Sequence, residues 1–190
     1  MRGSLSAFSE MYPEIEFYVE LSTRRVDLLT EPFDLELHVG PLPDSSLKAR
    51  KIATIRPGIY ASPKLLSRYP EPKAPQDFRS LPFVYLEMQT TIPLQLSDGI
   101  RTETLVLSSC KHVVSNPIIS MEFILAGQCV GFLPKSVAAP YVASGELLRL
   151  LPEWQAVGVD VSLVMPPGRL PYRVRLFIDY LVEFFANLTK

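Results

Sequence analysis

Apolar and polar positions alternate between Glu14 and Leu21, with Ile15, Phe17, Val19 and Leu21 on one side and Glu14, Glu16, Tyr18 and Glu20 on the other. A period of two predicts a strand with one wet, acidic face, suited to the edge of a sheet or to pairing with a second subunit. Arg24 to Thr30 has helical composition and is stopped by Glu31-Pro32. Phe33 to Val39 is an apolar-rich strand that runs into Gly40-Pro41. The backbone of such a turn can face a ligand, because in open α/β sheets ligands bind beyond the carboxyl ends of the strands.

The next segment, Lys51 to Ala61, is apolar and extended. Ser62-Pro63 follows, a cap and an N1 proline for a helix over Lys64 to Tyr69. Pro70, Pro72 and Pro75 stiffen a connector, and Leu81 to Leu86 reads as a strand. Glu87 to Thr104 is polar and irregular, Leu105 to Leu107 strand-like, and Val113-Val114 leads to Asn116. Asn116 is placed to cap a helix over Ile118 to Ala126 that Gly127 ends. Val130 to Leu133 is a short buried strand closed by Pro134, and Ser136 to Ser144 a helix ending at Gly145. The strand Val159 to Val164 precedes a last helix opened by Pro171. In that helix Val174, Phe177, Ile178, Leu181, Phe184, Phe185 and Leu188 form a wide apolar stripe, with Arg175, Asp179 and Glu183 at i, i+4 spacing on another face. The mixed sign of the polar face points to packing on a sheet rather than on a membrane.

Three separated segments carry a family resemblance. The first is VDLL with FDLELHVG and PLPDSSLKARKI, between Val26 and Ile52; the second is IYASPKLLSRYPEPKAPQDF, Ile59 to Phe78. The third is NPIISMEFILAGQCVGFLPKSVAAPYVASGELLRLLPEW, Asn116 to Trp154, followed by the RVRLFIDYLVEF tail. In this order they resemble the effector-binding domain of LysR-type transcriptional regulators. The resemblance implies an α/β fold of two Rossmann-like lobes, like type 2 periplasmic-binding proteins. Lobe I is expected at 1–56 plus 158–190 and lobe II at 57–157, with hinge crossings near 54–61 and 151–158. It also implies a small-molecule effector, a homodimer or higher oligomer, and a role in transcription through ligand-induced rearrangement of lobes and interfaces. Against the family's pattern the chain starts within the first helix, so its opening strand and winged helix-turn-helix are expected to be absent. DNA is then reached only through such a domain upstream. The alternatives are a stand-alone small-molecule-binding protein and an oligomerisation module that titrates full-length regulators.

Composition agrees with a sensor rather than a nucleic-acid binder. Lys and Arg number 19 against 20 Asp and Glu, a formal charge of −1, and no basic run exceeds Arg24-Arg25. DNA binding by this chain alone is not expected. The hydrophobic content of 47% over 190 residues excludes disorder and allows a substantial core. No apolar run approaches the roughly 20 residues that span a bilayer. With two cysteines, Cys110 and Cys129, no disulfide framework is possible, and a reduced, cytoplasmic location fits.

The chemistry-bearing residues point to binding rather than catalysis, and no cofactor is implied. His38 lies two residues before Gly40 and is either a structural histidine or, where the family often has a basic residue facing the cleft, a donor to an anionic effector. Cys110 with His112 does not complete a zinc site, and Cys129 has no partner at metal spacing. Ser62-Pro63 and Asn116-Pro117 each begin a helix whose unpaired N–H groups favour a carboxylate or phosphate-like group. The ligand contacts expected from the resemblance are His38, Gly40, Pro41 and Leu42 on one wall, with Ser62, Pro63, Asn116, Phe132, Leu133 and Pro134 on the other. The carboxylate pairs Glu14 with Glu16 and Asp34 with Glu36 read as solvated faces.

Overall fold

A computed structural model describes residues 4–22, 24, 26–87, 94–105 and 110–188. The chain runs α1 (Ser4–Met11), β1 (Glu36–Val39), β2 (Lys48–Ile55), β3 (Gly58–Ala61), α2 (Pro63–Leu66), β4 (Phe83–Leu86), β5 (Gln95–Ser97) and β6 (Thr102–Thr104). It continues through β7 (Cys110–Val114), α3 (Pro117–Leu125), β8 (Gly131–Leu133), α4 (Lys135–Ala143), β9 (Leu148–Leu150), β10 (Gln155–Ala156), β11 (Val159–Met165) and α5 (Tyr172–Leu188). Two compact units result: 1–55 with 159–190, and 56–158.

In the first unit β11 is the central strand, antiparallel to β1 on one side and β2 on the other. Period-2 alternation puts Leu37, Val161 and Leu163 on one face, where Val174, Ile178, Leu181 and Phe185 of α5 cover them. Phe8 of α1 is fully buried and meets Phe177 at 4.9 Å and Tyr180 at 5.2 Å, both on α5. The C-terminal helix is amphipathic as its stripe demands, and no described helix is long and apolar enough to cross a membrane.

The alternating segment 15–21 is not a strand. Phe17 anchors it at 4.9 Å from Phe177, after which Tyr18 and Leu21 are exposed. Alternation specifies which side chains go inward, but a strand also needs a ladder partner, and none of the described strands pairs with it. Arg24 to Thr30 is likewise no helix: Asp27 O accepts from Thr30 N at 3.1 Å and Glu31 N at 2.8 Å, closing a turn. Asp27 Oδ1 also accepts from Leu29 N, so an Asx turn competes with helix here; Arg25 lies outside the described residues.

In the second unit β4 pairs with β7 in parallel and is joined to Val130, just before β8, by a parallel bridge; β3 lies antiparallel between β8 and β9. The order is β7-β4-β8-β3-β9, with β3 alone running against the rest, and α3 and α4 are the crossovers from β7 to β8 and from β8 to β9. Every residue of β3 is buried because both faces are covered. Ile59 and Ala61 join Phe83, Phe132 and Trp154, while Tyr60 joins Ile124, Leu133 and Ala138.

Three local expectations need correction. The helix after Ser62 has only the four residues of α2, not Lys64 to Tyr69. The proline-rich connector contains a 3-10 turn, Pro75–Ser80, pinned by Asp77 Oδ2 accepting from Lys73 N at 2.8 Å and Ala74 N at 3.0 Å. Part of the irregular stretch is the β5–β6 hairpin, whose Asp98-Gly99 turn is a recognised hairpin signal. Its Asp98 Oδ1 accepts from Ile100 N and Arg101 N, and those backbone N–H groups hold the carboxyl below its ordinary range. Leu105 is buried outside any strand, and 106–107 lie outside the described residues.

Candidate functional site

Because β1 and β2 are both antiparallel to β11, they are parallel to each other, and residues 41–47 must cross the sheet to join them. The face opposite α5 carries Glu36, His38, Ala49 and Val164, and the crossover roofs it. Between them is a cavity of 520 Å³, lined also by Val26, Asp27, Leu42, Pro43, Asp44, Ser45 and Leu47. That volume falls in the range of small-molecule sites. The crossover starts at Gly40, whose φ of 114° is a conformation reserved for glycine, and whose N–H donates to Asp160 O at 2.9 Å. Asp160 is held in turn by Thr54 Oγ1 at 2.8 Å and Lys51 Nζ at 2.7 Å.

His38 and Leu42 line the cavity, whereas Gly40 and Pro41 are not among its lining residues. His38 Nδ1 lies 2.9 Å from Glu36 Oε1 and Nε2 lies 3.3 Å from Pro41 O. A carbonyl and a carboxylate only accept, so both contacts are hydrogen bonds only when His38 is an imidazolium. This corrects one expectation: Glu36 is not on a solvated face but part-buried, its Oε1 2.9 Å from His38 Nδ1. Asp27, Glu36 and Asp44 also surround the cavity with carboxylates, which disfavours an anion there. Sequence reading missed Val26, Asp27, Glu36, Pro43, Asp44, Ser45, Leu47, Ala49 and Val164 as lining residues.

In the second unit Asn116 caps α3, its Oδ1 accepting from Ile118 N at 2.8 Å, with Pro117 in the first turn. The carboxyl ends of β7 and β8 lead to Asn116 and Pro134, so these two residues lie at one end of the sheet. Ser62 does not join them. Antiparallel pairing sets Gly58 opposite Leu133 and Tyr60 opposite Gly131, so β3 ends, and Ser62-Pro63 begins, at the opposite end. There Ser62 Oγ would be 3.0 Å from a Cβ placed on Gly127, at the far terminus of α3. Nine residues of helix, about 13 Å, separate that end from Asn116. Ser62 also does not cap: it is buried, and Oγ has no hydrogen-bond partner. Phe132 and Leu133 are core residues, 5% and 1% exposed, rather than a wall open to ligand. Cys129 is fully buried, the Cys110 side chain lies outside the described residues, and His112 stacks on Phe123 at 4.2 Å. Among the described residues no group of three or more His, Cys, Asp or Glu side chains is arranged to hold a metal ion.

The family model described as the LysR substrate binding domain matches residues 2–186. An HTH-type transcriptional regulator of Xanthomonas campestris pv. campestris is 33% identical over 184 residues, which cover 94% of this chain and 53% of that protein. An HTH-type transcriptional repressor of Pseudomonas aeruginosa is 31% identical over 190 residues, covering 96% and 59%. The chain thus spans little more than half the length of these relatives, which are regulators rather than enzymes. Among solved structures, the full-length Vibrio cholerae virulence activator AphB superposes with a TM-score of 0.80 at 26% identity, covering 97% of this chain and 63% of that one. The regulatory domain of AphB from Vibrio vulnificus does so with a TM-score of 0.74 at 28% identity, covering 97% and 91%. Matched along nearly its whole length in sequence and in fold, this chain belongs to the LysR substrate-binding-domain family, with the periplasmic-binding-protein-like α/β fold of LysR regulatory domains.

Proposed function

We propose that the chain is the effector-sensing part of a transcriptional regulator, in which a small molecule biases the arrangement of the two units and of contacts between chains. DNA binding belongs to a separate helix-turn-helix domain of the regulator. The observation that carries this reading is the cavity under the 41–47 crossover, with His38 and Leu42 in its lining. Within the second unit, the rule that ligands bind beyond strand ends singles out the Asn116 and Pro134 end of its sheet. Ligand then acts by population shift, moving the equilibrium only by its difference in affinity for the two states.

A thermal-shift screen of the purified chain against a panel of small metabolites tests the reading. A ligand present at 100 times its Kd adds about 2.7 kcal/mol, or roughly 5–10 °C for a chain of this size. The response is expected to be saturable, to disappear in Ala49→Phe, which fills the cavity floor, and to survive in Ser62→Ala. A folded protein that no member of the panel stabilises would overturn it. The exposed Met11, Tyr18, Val19 and Leu21, 60%, 78%, 53% and 83% accessible, favour a second reading as an oligomerisation module. Mass in solution, compared between the chain and a Tyr18→Ser/Leu21→Ser double variant, separates the two: a dimer lost in the variant supports assembly through this segment.

A further inference from the structure

Residues 41–47 roof the cavity of the first unit, and Leu42, Pro43, Asp44, Ser45 and Leu47 supply much of its lining. The cavity therefore keeps its walls only while this crossover stays down. Little holds it there. Leu42 is 38% exposed and residues 41 and 43–46 are exposed too, so apolar burial contributes little. Among the described residues, the one hydrogen bond or ion pair joining 41–47 to the rest of the chain is His38 Nε2 to Pro41 O, at 3.3 Å.

The same ring meets Glu36 Oε1 through Nδ1 at 2.9 Å. A carboxylate and a carbonyl only accept, so an imidazolium, with an N–H on each nitrogen, satisfies both. A neutral ring has one N–H and turns a lone pair on whichever acceptor is left. The carboxylate contact is the shorter and bears the charge, so it keeps the N–H, and Nε2 then faces Pro41 O lone pair to lone pair. Loss of one proton thus exchanges the tie on the roof for a repulsion.

Other charged groups on this face come from each element around the ring. Asp27 belongs to the 27–31 turn, whose Glu31 is paired with Arg24, and Asp44 to the crossover itself. Asp160 of β11 is bonded to Lys51 Nζ of β2 at 2.7 Å, and the residue opposite His38 on β11 is the neutral Ser162. Carboxyl and ammonium groups ordinarily titrate outside the interval from about pH 5.5 to about 8, which leaves the imidazole to change charge within it.

We infer that His38 is a proton-dependent latch on the 41–47 crossover, so that the cavity is built when the imidazole is charged and loosens when it is neutral. The inference rests on the effector reading above for its purpose and adds a regulator, the proton, to the same site.

Order parameters of the Cα–H bonds of residues 41–47, measured by NMR on the ligand-free chain at about pH 5.5 and about pH 8, are the test. They are expected to move from near the rigid value of about 0.85 toward the flexible range below about 0.6 as pH rises. The Asp98–Arg101 turn, held by bonds that involve no imidazole, should not change and serves as the internal reference. Two variants move the latch in opposite directions. In His38→Phe, which keeps a ring without nitrogens, the crossover should be loose at both pH values. In Glu36→Gln the amide can donate to Nδ1, so a neutral ring donates from Nε2 to Pro41 O and the crossover should stay ordered at both. Equal order parameters at the two pH values in the unaltered chain overturn the inference, and this readout needs neither variant to fold. It is also overturned by a crossover in His38→Phe as ordered as in the unaltered chain at about pH 5.5, or by an undiminished pH response in Glu36→Gln. None of these outcomes touches the effector reading, which stands or falls by the metabolite screen.

Discussion

Gly127 shows how one residue ties two elements of the second unit together. Its φ of +74° is left-handed, and a Cβ would lie 2.8 Å from Lys64 Cβ and 3.0 Å from Ser62 Oγ. Arg68 Nη2 donates to its carbonyl, which fixes the same contact from the other side. Gly127→Ala is expected to cost about 1–3 kcal/mol from strain and collision together, measured as a lower urea midpoint at unchanged slope. Arg24 and Glu31 make a different residue-scale case: Nη1 and Nη2 meet Oε1 and Oε2 at 2.8 and 2.6 Å, and Asp27 N donates to Oε1 at 2.9 Å. The Arg24 hydrogen bond, then that of Asp27 N–H, lowers the Glu31 pKa from 4.5 to about 2. A carboxyl depressed in the folded state stabilises it above the unfolded pKa and loses that contribution as pH falls through the folded one. The 27–31 turn should therefore loosen between pH 4.5 and about 2. Carboxyl carbon shifts of Glu31 followed by NMR should titrate low in the unaltered chain and return toward 4.5 in Arg24→Gln. Neither pairing was legible in sequence, because Ser62 looked like any capping serine and Glu31 like a helix stop; both depend on atoms brought near by folding.

Elements whose signals are local were read well. Asn116 caps α3 as its position before an apolar run implied, and the far end closes with Gly127 N donating to Ile124 O and Gln128 N to Phe123 O, the paired bonds of a Schellman turn. Asn116→Ala should cost about 1 kcal/mol, seen as a lower melting temperature with unchanged secondary structure. The apolar stripe of α5 was equally plain, since a period of 3.6 over 17 residues leaves little freedom in which face turns inward. Ile178, 6% exposed, sits in the middle of that stripe, and Ile178→Ala should destabilise by about 2–5 kcal/mol in a denaturant melt. Strands were harder because a strand is a relation between segments. Alternation marked 15–21 as clearly as Phe33 to Val39, yet only Glu36 to Val39 found a ladder, along β11 from more than a hundred residues away. The candidate site suffered in the same way. His38 and Leu42 were legible from their nearness to Gly40, but Ala49 and Val164 enter the cavity only through strand register, and Ser62, expected on one wall with Asn116, starts from the opposite end of the sheet because β3 runs against β8, which sequence does not state.

At the scale of the whole chain the two units differ in how they are threaded. The second, 56–158, is one continuous stretch containing all the strands and helices that its sheets require. The first is split, and its split runs through the sheet: β1 and β2 come from the N-terminal part, while the strand that separates them, β11, and the helix that covers them, α5, come from 159–188. Among the described residues, β1 and β2 have no neighbour other than β11, and it is α5 that covers the face carrying Leu37. A fragment of residues 56–158 should therefore fold by itself, with its own clusters around Phe83 and Tyr60, and melt cooperatively in far-ultraviolet circular dichroism. Residues 1–55 alone should be unfolded, and should gain strand signal and a melting transition when a 159–190 peptide is added, since the missing centre of the sheet is then supplied in trans. If the 1–55 fragment melted cooperatively by itself, β11 would not be the strand that organises this unit. If 56–158 failed to fold, its core would depend on the flanking chain, against the closure of its apolar clusters within that segment.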